Sequence, residues 1–223
     1  MTRPIRTSSP LVLASASPRR KQLLRQIGIP FRTVTSRVNE DPLSRDPLMN
    51  ARLLAETKAQ AVIEQCKDSW ILGADTIVVL GRAVLGKPAD KDEAFSMLRQ
   101  LSGREHRVIT GFCLVAPDSK KLHSEAVVTR VTFKALTKRE ILGYIATGEP
   151  FGKAGSYGIQ GIGAFLVKRI IGSYTNVVGL PLCALVNALL ATGALKEFPI
   201  PSRPCFPAGE GSRKGSLRLP QKH

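Results

Sequence analysis

The chain has 223 residues, of which 43% are hydrophobic, and this is enough for one α/β domain with a real core. Its formal net charge of +16 suits a polyanionic partner such as nucleic acid. With 5% aromatic residues and no basic stacking surface, a polyanionic small molecule explains the basic clusters equally well. No apolar stretch approaches the ~20 residues of a membrane span. The four cysteines lack the CxxC spacing of a zinc site. We therefore expect them to be reduced thiols in the cytoplasm.

The first predicted elements are a buried strand at residues 10–14 and a helix at residues 18–27. Ser17 is a good N-cap for this helix. Pro18 stands at the first helical position, where its missing backbone N–H costs nothing, and Gly28 suits the C-terminal end.

The junction between this strand and this helix predicts a phosphate-binding site. The free backbone N–H groups and the positive dipole end of the helix face the tip of the strand. Ser15 and Ser17 add hydroxyls, and Arg19 and Arg20 add guanidinium groups. Cations are unfavourable at a helix N-terminus unless an anion joins them, so the pattern favours anion binding over a capped surface helix. No role is predicted for Arg20 beyond that of a surface cation.

The next elements are a strand at 31–36, a polar loop at 39–47, a helix at 49–66 and a strand at 70–80. Asp75 interrupts the apolar run of the last strand. Because a buried carboxylate is costly without a partner, Asp75 is predicted to be a metal ligand or a general base near phosphates. Glu40 and Asp41 in the polar loop matter only if the fold brings them to Asp75, where carboxylates could hold magnesium.

Residues 81–88, with the sequence GRAVLGKP, imitate a phosphate-binding loop. The match fails at Pro88, where a Ser or Thr would bind magnesium, and no helix follows at once. The run is therefore predicted to form a hairpin turn, with Lys87 as a phosphate contact.

The rest of the chain alternates between helices and strands. Capping boxes predict helices that begin after Asp90 and Thr137. His106 is interpreted as a polar turn residue, and Gln160 as an amide that could face a base edge. The other predicted elements are strands at 107–116 and 123–134, a glycine-rich loop at 152–163, a strand at 164–171 and a last helix at 180–195.

Five blocks in this order resemble the Maf family of nucleoside triphosphate pyrophosphatases. They are ASASPRR at 14–20, LGADT at 72–76, GKP at 86–88, LSG at 101–103 and the long run at 153–182. The resemblance implies an α/β fold with a long bent mixed sheet, flanking helices and a central cleft, like that of inosine triphosphate pyrophosphatase. It also implies hydrolysis between the α- and β-phosphates, with a divalent metal such as magnesium or manganese.

The resemblance further assigns roles to single residues. Asp75 matches the proton acceptor that activates water, and Glu40 matches an acidic position near the metal, so Glu40 and Asp75 are the expected metal ligands. The expected substrate-binding residues are Ser15, Arg19 and Lys87 for phosphates, Lys58 in the cleft, and Arg19, Thr76 and Gln160 for base selection.

The runs at 154–161 and 172–182 resemble the branch that acts on dTTP and UTP, with CTP or modified pyrimidine nucleotides as further candidates. One position departs from the family pattern, because Gly152 stands where an Asp is usual. The departure makes a catalytically impaired nucleotide-binding protein one alternative. The net charge of +16 and the basic tail make a nucleic-acid-binding protein the other.

The expected organisation has three parts: a flexible N-terminus at 1–9, the Maf-like domain at 10–198, and a disordered basic tail at 199–223. The expected partner is a nucleotide, without a membrane or nucleic acid, and a homodimer is allowed for.

Overall fold

The computed structural model describes residues 4–118 and 120–198 and shows a mixed α/β fold, as predicted. Seven strands form one sheet: β1 (Leu11–Leu13), β2 (Phe31–Thr33), β3 (Ile71–Leu80), β4 (Ala83–Leu85), β5 (Glu105–Val115), β6 (Lys121–Phe133) and β7 (Val167–Ile171). Their order is β2–β1–β3–β5–β6–β7, with β4 paired to β3. The pairs β1–β2 and β1–β3 are parallel and the other pairs are antiparallel, so the sheet is mixed.

The helices are α1 (Pro18–Gln26), α2 (Pro47–Gln60), α3 (Lys91–Leu101), α4 (Lys138–Ala146), α5 (Tyr174–Val178) and α6 (Leu182–Ala191), with two short 3₁₀ helices at Ala154–Ser156 and Ile162–Leu166. Among the described residues, none of these helices has the length and apolar character needed to cross a membrane. The predicted tail at 199–223 lies outside the described residues.

Three helices begin directly after the N-cap residues predicted for them. The Ser17 side chain accepts a hydrogen bond from the backbone N–H of Arg20, with Pro18 at the first helical position. Asp90 caps α3 in the same way. Thr137 and Glu140 form both halves of a capping box at α4, as predicted.

Three expectations need correction. Helix α2 begins at Pro47, capped by Asp46, and ends at Gln60 instead of extending to residue 66, because turns follow it. His106 is not a turn residue: it lies inside β5, 2% exposed, with its Nε2 2.9 Å from the Tyr157 hydroxyl. Helix α5 was not predicted, since it is only five residues long.

Helix α2 packs directly on the backbone of the sheet. A Cβ on Gly73 in β3 would lie 2.1 Å from the carbonyl oxygen of Ala55, and one on Gly111 in β5 would lie 2.1 Å from that of Ala51. Only glycine permits such an approach. The close contact places Lys58 of α2 over the middle of β3.

The opposite face of the sheet carries two hydrophobic clusters. One packs against α1 and α6 and includes Leu23 and Leu189, and the other packs against α3 and α4 and includes Leu98 and Ile141. A buried polar belt separates them: Thr76, Thr110, Thr129 and Asn176, of which the last three are fully buried. This belt lies behind the middle of β3.

One edge of β3 has a gap in its strand pairing. Strand β1 pairs with β3 at Ile71 and Leu72, and β4 pairs with it at residues 78–80, while β5 occupies the other edge throughout. Since β1 ends as the chain turns into α1, no strand in the described part of the chain pairs with residues 73–77 on this side. Asp75 and Thr76 lie in the middle of the gap.

The N-terminal segment is anchored at one point. Ile5 is buried in the cluster beneath α6, and its backbone N–H donates to the carbonyl of Ala194.

Candidate active site

The gap beside β3 opens into a cavity of about 320 Å³. All eight residues predicted for the site line it: Ser15, Arg19, Glu40, Lys58, Asp75, Thr76, Lys87 and Gln160. They come from the turn into α1, the polar loop, α2, β3, the segment after β4 and the glycine-rich loop. The fold thus gathers groups that are up to 145 positions apart in the chain.

A chain of alternating charges crosses the cavity. The Lys58 Nζ donates to Asp75 Oδ1 at 2.5 Å and to Glu40 Oε1 at 2.7 Å, and the Lys87 Nζ donates to Glu40 Oε2 at 2.5 Å. Lys58 and Asp75 are only 6% and 7% exposed, so each compensates the other's buried charge.

Glu40 is more accessible than this pair. Burial alone opposes its charge, but the hydrogen bonds from Lys58 and Lys87 outweigh that effect and lower its pKa to about 2. Asp41 does not reach the cavity, because it forms hydrogen bonds with Asn39 on the exposed loop.

Arg20 is the residue that sequence reasoning misjudged most. It is 7% exposed rather than a surface cation, and it donates to Ser15 Oγ at 3.0 Å, Thr76 Oγ1 at 3.0 Å and the Gly179 carbonyl at 2.8 Å. Burial lowers its pKa, partly opposed by the charge of Asp75. All three acceptors are neutral, so the guanidinium ties Ser15 and Thr76 together while adding positive charge to the cavity wall.

The polar belt fixes the direction of the Thr76 hydroxyl. Thr110 donates its proton to the carbonyl of Asn176 at 3.0 Å. The contact of 2.9 Å between the two threonine hydroxyls is therefore donated by Thr76. Because Thr76 also accepts from Arg20, it can offer a ligand only a lone pair, which suits an N–H donor.

Two further cations face the cavity. Arg19 donates from Nε to the Val178 carbonyl at 3.3 Å, and burial lowers its pKa. Lys153, for which no role was predicted, donates to the backbone carbonyl of Glu149, and burial together with the nearby Arg19 lowers its pKa. The cavity lining holds five cations, Arg19, Arg20, Lys58, Lys87 and Lys153, against the two carboxylates Glu40 and Asp75. This balance favours an anionic ligand.

Glu40 and Asp75 are the carboxylates that the cavity offers to a metal. Within the described residues no group of three His, Cys, Asp or Glu side chains could hold one. Glu40 and Asp75 do face the same cavity and share Lys58. Two carboxylates suit magnesium, which commonly takes one or two protein oxygens and completes its shell with water and substrate phosphates.

Gly152, the departure from the family pattern, lines the same cavity at φ +72°. A Cβ there would meet no atom within 4 Å. The space is open, but the positive φ strains any residue other than glycine, and the glycine leaves this part of the wall without a carboxylate.

Several known proteins are similar to this chain. A family model described as Maf-like protein matches residues 10–192. The dTTP/UTP pyrophosphatase of Citrifermentans bemidjiense is 51% identical over 189 residues, which cover 84% of this chain and 98% of that protein. The dTTP/UTP pyrophosphatase of Nitratidesulfovibrio vulgaris is 46% identical over 205 residues, covering 89% and 96%. A crystal structure of a nucleoside-triphosphatase/dITP/XTP pyrophosphatase from Mycobacterium abscessus shares 14% identity at a TM-score of 0.40, covering 82% of this chain and 95% of that one.

Proposed function

The chain belongs to the Maf-like protein family, and from that membership we propose that it hydrolyses dTTP and UTP between the α- and β-phosphates. The products are the nucleoside monophosphate and pyrophosphate. The relatives named above, at about half identity over most of both chains, carry the name dTTP/UTP pyrophosphatase.

The observation that carries the proposal is the pairing of a buried carboxylate with a cationic wall. Asp75 stands at the unpaired edge of β3, held by Lys58, in a cavity whose cations outnumber its carboxylates. A triphosphate would place its charge among these cations, and a water molecule would meet the one buried carboxylate.

In this mechanism Asp75 is the general base. Its carboxylate accepts a proton from water as the water oxygen attacks the α-phosphorus, and the bond to the bridging oxygen of the β-phosphate breaks. Lys58 orients Asp75 through the 2.5 Å contact and keeps its charge compensated before substrate arrives.

The leaving pyrophosphate needs electrostatic stabilisation. Arg19 and Lys87 supply donors for the phosphate oxygens. Ser15 stands beside them, with its hydroxyl oriented by Arg20. The Ser15 hydroxyl is held in place before the reaction, so it requires little reorganisation in the transition state.

Glu40 and Asp75 would hold a divalent metal, magnesium or manganese. When bound, the metal neutralises phosphate charge and polarises the reacting phosphoryl group. Lys58 and Lys87, which contact Glu40 in this structure, could then turn to the phosphates.

Base selection is assigned to Gln160 and Thr76, which both line the cavity. The Gln160 amide offers both a donor and an acceptor, as the imide edge of uracil and thymine requires. Thr76 offers only a lone pair, which fits the imide N–H and not the bare ring nitrogen of cytosine.

The cysteines support a reducing compartment such as the cytoplasm for this enzyme. Among the described residues, Cys66 and Cys183 are free thiols. A homodimer stays a prediction, which sedimentation would check.

The test is a panel of nucleoside triphosphates with magnesium, with pyrophosphate release measured for each. We expect release from dTTP and UTP, at a kcat/KM at least about tenfold above that of the purine nucleotides. Release of orthophosphate would contradict the proposed bond cleavage. No release from any nucleotide would favour the catalytically impaired alternative that Gly152 suggested.

A further inference from the structure

The glycine-rich loop that carries Gln160 is held by two side chains behind the cavity. Glu149 accepts hydrogen bonds from the backbone N–H of Ile162 at 2.8 Å and of Gly163 at 3.0 Å. These are the first two N–H groups of a 3₁₀ helix whose own N-cap residue, Gly161, has no side chain to cap it. Glu149 therefore caps this helix from outside.

Tyr144 completes the attachment from α4. Its hydroxyl donates to Glu149 Oε1 at 2.9 Å and accepts from the backbone N–H of Gly158 at 3.0 Å. The loop is thus held on one side of Gln160 at Gly158 and on the other at residues 162 and 163. Ile159 and Gln160 between them face the cavity.

Two glycines of this loop, Gly161 and Gly163, are explained by the same two side chains. A Cβ on Gly161 would lie 2.3 Å from Glu149 Oε2, and one on Gly163 would lie 2.5 Å from the Tyr144 hydroxyl oxygen. The loop backbone therefore rests against Glu149 and Tyr144, so that even a methyl group would push it off them.

The negative charge of Glu149 strengthens its hydrogen bonds to the loop. Burial opposes the charge of Glu149, but the N–H donors of Gly163 and Ile162 and the Tyr144 hydroxyl outweigh it, and its pKa is lowered. Charged acceptors make stronger hydrogen bonds than neutral ones, so the carboxylate suits this position better than an amide would.

We propose that Glu149, with Tyr144, is a positioning residue for base selection: it holds the loop at residues 158–163 so that the Gln160 amide stands where it can read the pyrimidine edge. This role rests on the proposed function, because Gln160 matters only if a base lies beside it. Glu149 itself does not line the cavity.

The test compares Glu149→Gln with Glu64→Gln. Both changes remove one carboxylate charge, but Glu64 lies on the surface, paired with Lys67. In the nucleotide-free protein, amide hydrogen exchange at Ile162 and Gly163 should become about tenfold faster in Glu149→Gln and stay unchanged in the control. Unchanged exchange in Glu149→Gln would overturn the proposal.

The second readout is the ratio of kcat/KM for UTP to that for CTP, since these nucleotides differ only in the base. Glu149→Gln should lower the ratio by about tenfold, with kcat on UTP within about threefold of wild type. The double variant Glu149→Gln/Gln160→Ala should discriminate no worse than Gln160→Ala alone, because both changes act through one amide. A lower kcat with an unchanged ratio would overturn the positioning role.

The two proposals fail separately. If the wild-type chain turns over neither nucleotide, the proposed function fails, while the amide exchange still supports or overturns the attachment of the loop. Tyr144→Phe gives an independent check: it should speed exchange at Gly158, whose N–H it leaves without an acceptor.

Discussion

Replacing Lys58 by methionine should destabilise the protein by about 3–5 kcal/mol, the usual cost of removing one partner of a buried ion pair. The magnitude follows from burial: with Lys58 and Asp75 only 6% and 7% exposed, the variant leaves the Asp75 carboxylate without its 2.5 Å partner and with little water to replace it. Glu40 also loses its bond to Lys58 in this variant, but it keeps the bond from Lys87. The broken Lys58–Glu40 bond should therefore add little to the destabilisation.

The assay is urea unfolding of Lys58→Met, of Asp75→Asn and of the double variant. The double variant has no buried charge at either position, so it should be more stable than Lys58→Met alone, although it carries one more substitution. Lys67→Met is the matched control: it breaks an exposed pair with Glu64, 70% and 84% exposed, and should cost less than about 1 kcal/mol. The reasoning is refuted if Lys58→Met lowers the free energy of unfolding no more than this control does. It is also refuted if the decrease in the double variant equals the sum of the decreases in the two single variants.

Three further predictions follow from the same geometry. Asp75→Asn should lower pyrophosphate release by at least about a thousandfold while UTP binding, measured by calorimetry, survives; turnover equal to wild type would remove Asp75 as the base. Arg20→Lys should raise the KM for UTP by about tenfold and lower the Tm, because an ammonium cannot serve Ser15, Thr76 and Gly179 together; an unchanged KM would mean that Arg20 does not set the positions of those hydroxyls. Burial lowers the pKa of His106 to about 4, so the folded state takes up fewer protons than the unfolded state between about pH 6.5 and 4, and stability falls as the pH drops through that window. In urea unfolding across this range, the stability of His106→Phe should fall less steeply with decreasing pH than that of the wild type. An unaltered dependence of stability on pH would show that other groups cause it.

The parts of the fold that depend on neighbouring residues were predictable from the sequence. Ser17 and Pro18 define the start of α1 through contacts within one turn, and the Thr137–Glu140 capping box does the same for α4. Asp75 was also identifiable, since a carboxylate inside an apolar strand requires a partner wherever it lies.

The residues that were missed depend on distant partners. Arg20 resembled a surface cation because its acceptors, Thr76 and Gly179, come from β3 and from the end of α5. His106 follows a glycine and two charged residues, a pattern typical of a turn, but the pairing of β5 with β6 extends the strand back to Glu105 and buries the ring. No local pattern contains that information.

Glu149 is a further residue whose role depends on partners that are distant in the chain, although the sequence contains a sign of it. The glycines around Gln160 indicate a close approach of the loop backbone to another group. In the structure, Gly161 and Gly163 approach Glu149 and Tyr144, on the side of the loop away from the cavity. Glycines in a loop beside a binding site can therefore be required by close contact with supporting side chains of the protein, and not by contact with the ligand.

The position of the site follows from where strand pairing stops. Parallel pairing with β1 ends after Leu72 because Ser15 and Ser17 begin the turn into α1, and β4 does not reach β3 before Val78. The strand edge left between them receives Lys58 from one face, because Gly73 and Gly111 let α2 approach, and Arg20 from the other. A longer β1 would cover Asp75 with backbone and separate both cations from it. The short strand at the start of the chain is therefore as necessary to the proposed chemistry as the carboxylate it leaves uncovered.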